Sequence, residues 1–91
     1  TISEGRVVGN TGSGASNGQN VSGAGILNVS SAILTLTSCV ISNNTIVGGQ
    51  GGPSDGTGGN GLGGGIANYA TIILNQCALD GNTAQGGTGG G

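Results

Sequence analysis

Aliphatic and polar residues alternate along this chain in short bursts, and a change of step joins one burst to the next. Leu34 and Leu36 stand two apart, then Cys39 and Ile41, then Asn44 and Ile46. Within a burst, the period of two marks a strand with one buried face. Between bursts, at Thr37-Ser38 and at Ser42-Asn43, the step is three. A three-residue step lets the chain bend while the next side chain still points inward. Helix is disfavoured, because Gly, Thr, Ser, Asn, Val and Ile are weak helix formers and no i, i+3, i+4 stripe appears.

The bursts recur. Asn10-Thr11, Asn44-Thr45 and Asn82-Thr83 coincide without a gap, 34 and then 38 residues apart. Three residues before each Asn stands Val7, Ile41 or Leu79. Five before it stands Gly5, Cys39 or Cys77, and eight before it Ile2, Leu36 or Leu74. Upstream, "AGILNVSSAILTLTSC" matches "GGGIANYATIILNQC", with Ile26/Ile66 and Asn28/Asn68 in register. Short strands bent at fixed corners, with a period on this scale, predict an all-β parallel β-helix, or β-solenoid. About three coils are expected in a single segment, open at both ends. Coil 1 covers about residues 1–23, coil 2 about 24–62 and coil 3 about 63–91, with a glycine-rich loop at 48–65.

Equivalent residues of neighbouring coils should then stack about 4.8 Å apart. The expected ladders run Ile26 under Ile66, Leu34 under Ile72, Ile2–Leu36–Leu74 and Val7–Ile41–Leu79. Asn10, Asn44 and Asn82 form a corner ladder, where amides bond one another and turn backbone that the strands leave unsatisfied. The simpler alternative for these Asn is turn preference alone, since Asn tolerates the left-handed region. The shared register in all three copies favours the ladder.

Composition excludes several classes of function. Among 91 residues there are 24 Gly, one aromatic side chain and no His. A core of large side chains is therefore out of reach. A net charge of −2 with a single Lys or Arg argues against nucleic acid, whose phosphates need basic partners. No apolar run reaches the roughly 18 residues of a membrane span. No basic, apolar leader stands in the segment, so any secretion signal is expected outside it.

The strings "GGGIANYATIILNQCALDGNTA" and "AGILNVSSAILTLTSCVISNNTI" resemble coils of right-handed β-helix proteins. In particular they are similar to the GG-aliphatic repeats of polymorphic outer-membrane proteins and of autotransporter passenger domains. Those repeats often carry a Phe-x-x-Asn element; here the matching places hold Val7, Ile41 and Leu79 before Asn10, Asn44 and Asn82. The resemblance implies a right-handed coil and a secreted or cell-surface protein with a structural or adhesive role.

Between Ile46 and Ile66 lies a glycine-rich stretch in which Gly49, Gly52, Gly58, Gly61 and Gly64 share a period of three, broken at Asp55. A structureless insertion of this length sits badly in a compact domain. Two readings stand: a flexible loop, or a polyproline-II excursion packed on its neighbours. Similar stretches at 12–25 and 85–91 leave equivalent corners, which favours packing along one side of the solenoid.

Cys39 and Cys77 share one aligned position. Two thiols without His make a zinc site improbable. Stacked Cα atoms fall within disulfide range, but parallel in-register side chains aim badly for the bridge, so two small thiols in a ladder are favoured. The acids Glu4, Asp55 and Asp80 stand in different coils at different aligned places, unlike the clustered carboxylates of polysaccharide-acting β-helix enzymes. No catalytic, cofactor-binding or metal-ligating set is expected, although a scaffold slice of a larger enzyme is a minor alternative. Outward Thr35-x-Thr37 would suit an ice-binding array, but Thr1-x-Ser3 and Ile73-x-Asn75 do not keep the pair. Of the Asn-x-Ser/Thr sites at Asn20, Asn28 and Asn43, Asn43 on an outward corner and Asn20 in a loop are the candidates for glycosylation.

Neither end carries the polar cap that solenoids use for solubility. Joining residue 91 to residue 1 leaves an Asn-to-Asn spacing too short for a tandem repeat of these coils. The expectation is a structural, extracellular or cell-surface protein whose copies stack head to tail into a fibre or stalk. The runner-up is a slice of a large adhesin, flanked by further coils of the same chain. An intact mass near 8.4 kDa, plus any glycans, would separate the first from the second.

Overall fold

A computed structural model describes residues 1–15, 18–52 and 56–89. The described chain is all-β. Coil 1 holds β1 (Ile2–Ser3), β2 (Arg6–Val8), β3 (Thr11–Ser13) and β4 (Val21–Ser22). Coil 2 holds β5 (Ile26–Asn28), β6 (Ile33–Thr37), β7 (Val40–Ser42), β8 (Thr45–Val47) and β9 (Gly61–Leu62). Coil 3 holds β10 (Ile66–Asn68), β11 (Thr71–Asn75), β12 (Ala78–Asp80) and β13 (Thr83–Gln85).

Every pairing is parallel and joins one coil to another. The sheets run β1-β6-β11, β2-β7-β12, β3-β8-β13, β5-β10 and β4-β9. This is a short parallel β-solenoid of about three coils. The register aligns Ile2 with Leu36 and Leu74, Val7 with Ile41 and Leu79, and Ile26 with Ile66. The molecule measures 47 × 26 × 13 Å, and a height near 13 Å suits three layers at about 4.8 Å. It is a slab with two broad faces.

The corners explain the three-residue steps. Glu4, Ser38 and Gln76 sit in one column with φ of 57°, 53° and 53°. Gly9, Asn43 and Gly81 form a second column with φ of 72°, 55° and 64°. A single left-handed residue turns the chain, and Gly and Asn accept that conformation at least cost. The core lies inside these corners. Leu36, Cys39 and Ile41 are buried, with Val7, Leu34, Ile72 and Cys77 packed around them.

The glycine-rich stretches pack against one another over their described residues, unlike a slack loop. The Gly49 N–H donates to Gln19 O at 2.8 Å, the Gly59 N–H to Gly49 O at 2.8 Å and the Gly87 N–H to Gly59 O at 2.8 Å. Segments from all three coils thus bond to one another in series. A Cβ on Gly48 would strike the Gly59 carbonyl, and one on Gly87 the Gly49 carbonyl. The backbones approach as only glycine permits. β9 falls within the 48–65 stretch and pairs with β4, placing Val21 opposite Gly61. Asp55, where the period of three breaks, lies outside the described residues.

Candidate functional site

The most ordered polar feature is the row of asparagines at the second corner. Asn10 donates to Asn44 Oδ1 from its backbone N–H at 3.0 Å and from Nδ2 at 2.9 Å. Asn44 repeats both contacts one coil on, donating to Asn82 Oδ1 at 3.1 and 3.0 Å. The second Nδ2 hydrogen of Asn44 reaches Val7 O at 3.0 Å, and that of Asn82 reaches Ile41 O at 2.9 Å. Asn44 is fully buried. It survives there because its amide is bonded on every side, as a buried polar group requires.

A shorter row stands at the other end of the long strand. Asn28 Nδ2 donates to Asn68 Oδ1 at 2.7 Å and to Thr71 O at 2.9 Å. Of the possible glycan acceptors, Asn28 is therefore buried and engaged. Asn20 is exposed and its Oδ1 accepts the Asn60 N–H at 2.7 Å, whereas Asn43 is an exposed corner residue.

Cys39 and Cys77 occupy equivalent places and are free thiols. Cys39 Sγ donates to Ile2 O at 3.4 Å and Cys77 Sγ to Leu36 O at 3.3 Å, so each thiol bonds the coil below it. Gly5 fills the same place in coil 1, and a Cβ there would lie 3.9 Å from Cys39 Sγ. Glu4 and Asp80 stand in coils 1 and 3. Among the described residues, no pocket opens and no three His, Cys, Asp or Glu come close enough to share a metal ion. Among the described residues, no helix is long and apolar enough to cross a membrane.

What the molecule presents instead is two broad faces made of unfinished ladders. Leu36 in the middle coil is 1 % exposed, while its partners Ile2 and Leu74 are 39 % and 43 % exposed. Ile41 is 0 % exposed and Leu79 is 47 %. These side chains have the same chemistry at the same place in the coil; only the layer differs. The outer strands β1, β2 and β3 on one face, and β11, β12 and β13 on the other, each pair on one side only. Sequence periodicity names the inward face of each strand but carries no sign of which coil lies at a surface.

Comparison with family models, curated proteins and solved structures returns no match. The reading of function rests on the chain's own geometry.

Proposed function

We propose that this chain is a structural, non-enzymatic, extracellular β-solenoid whose copies stack end to end into a fibre or stalk. The observation that carries the reading is the pair of matched open faces: half-exposed Ile2, Leu74 and Leu79 continue ladders whose middle rungs, Leu36 and Ile41, are fully covered. Apolar area left in water and backbone left unpaired both favour adding another coil. Charge opposes it little, since the chain has four formally charged side chains in all. No cofactor takes part, and the partner is a second copy.

Electron microscopy and light scattering of the purified chain test this. Filaments are expected, with a rise of about 14 Å per copy along the axis from three layers of about 4.8 Å. A stable monomer at high concentration overturns the reading and points to a slice of a longer adhesin, covered by flanking coils.

A further inference from the structure

We propose that copies join in one polarity and one register, with Asn82 and Asp80 of one copy meeting Asn10 and Arg6 of the next. The proposal rests on the end-to-end reading above and specifies its interface.

The asparagine row obeys one rule at each step. The lower coil's backbone N–H donates to the upper coil's Oδ1, from Asn10 to Asn44 and from Asn44 to Asn82. The upper Nδ2 reaches back to a lower carbonyl, from Asn44 to Val7 O and from Asn82 to Ile41 O. At the two faces the rule is left half satisfied in complementary ways. Among the described residues, the Asn82 N–H has no acceptor, and Asn10 uses one Nδ2 hydrogen, on Asn44. Seating coil 1 of a second copy on coil 3 closes both gaps. The Asn82 N–H meets the incoming Asn10 Oδ1, and the incoming Asn10 Nδ2 meets Leu79 O.

The main chain extends the same pattern. Ser38 N–H donates to Asn75 O at 2.8 Å, and Asn43 N–H to Asp80 O at 3.0 Å. One coil on, the Gln76 and Gly81 N–H groups have no partner among the described residues. An incoming coil 1 offers them Ser3 O and Val8 O in the equivalent places. A two-fold contact would set the strands antiparallel and break the parallel register that every pairing within one copy keeps. A head-to-tail contact does not close, so it gives a filament.

The same register brings two charges together. Arg6 aligns with Val40 and Ala78, and Val8 with Ser42 and Asp80. Across a junction, the incoming Arg6 lies opposite Ala78 and diagonal to Asp80 on the outward face. A diagonal neighbour stands about 7–8 Å away, within reach of a long side chain. Within one copy a whole coil separates Arg6 from Asp80.

Two measurements test the junction. Ser3 and Asn75 are exposed and share an outward column with half-buried Thr37. In a Cys39→Ser/Cys77→Ser background, Ser3→Cys and Asn75→Cys proteins are mixed and treated with a short bis-maleimide, which does not need disulfide geometry. Crosslinks between the two variants are expected, with little bridging within either one alone. A Ser3-to-Ser3 bridge in assembling protein overturns the polarity while leaving self-association intact; absence of assembly in the unsubstituted chain overturns both. In the native background, Arg6→Asp should raise the critical concentration about threefold at low salt, as for an exposed ion pair. Adding Asp80→Arg should restore it. Failure of that rescue, in variants whose circular dichroism matches the parent, overturns the Arg6–Asp80 contact.

Discussion

Leu36 and Thr37 are adjacent on β6, yet the first is buried and the second partly open on the outer side. A carboxylate in place of Leu36 would be desolvated without a partner and should cost several kcal/mol, enough to unfold the chain. Thr37→Asp should shift the melting midpoint by no more than a few degrees. Circular dichroism melts of the two variants measure this, and equal tolerance would contradict the assignment of faces. Asn44→Leu tests the polar interior. It preserves bulk but strips partners from Asn10, Asn82 and the Val7 carbonyl. An orphaned buried group costs about 1–3 kcal/mol, and one partly open to water, as at exposed Asn10 and half-buried Asn82, costs less. Since this one substitution breaks bonds to both neighbouring coils, it should destabilise the chain more than the same change at either outer Asn. Urea unfolding of Asn44→Leu beside Asn82→Leu gives the comparison.

At the scale of elements, the strands and their register were legible because inward residues, corner steps and Asn-Thr anchors all repeat together. The five-residue β6 and β11 show it best, with Leu34 and Leu36 under Ile72 and Leu74. The β4–β9 pair was not legible. Val21–Ser22 and Gly61–Leu62 are too short to alternate, and their partnership spans 40 residues that include all of β5–β8. The glycine layer was legible only as two alternatives, since a period of three describes both a packed excursion and a slack loop. Its packing makes a sharp contrast testable. A Cβ on Gly86 would make an ordinary contact, 3.6 Å from Gly59 O, whereas one on Gly87 strikes the Gly49 and Gly48 carbonyls. Gly86→Ala should leave stability within about 0.5 kcal/mol, as for a neutral surface change. Gly87→Ala should cost several times that; equal melts for the two would mean the layer is loose.

Over the whole molecule, the proposed assembly places its demands on the two broad faces. Val7→Asp places a charge on the coil 1 face, in a ladder that ends in half-exposed Leu79. It should reduce filament mass at least tenfold at fixed concentration, since about 1.4 kcal/mol already changes an equilibrium tenfold. Raising salt from low to physiological levels should weaken assembly by no more than about threefold, the share of the exposed Arg6–Asp80 pair, because backbone bonds and apolar rungs are insensitive to screening. Sedimentation across a salt series measures both effects. The burial gradient from Leu36 to Ile2 and Leu74 also reaches beyond assembly. In a free copy, one layer in three keeps its interior dry; in a long stack, only the first and last layers of the whole filament stay wet. If copies stack as proposed, each would hold its fold partly on loan from its neighbours, and mass action would link folding to concentration. Such a chain would have no single melting temperature of its own: diluted it would loosen, and crowded among its own kind it would harden.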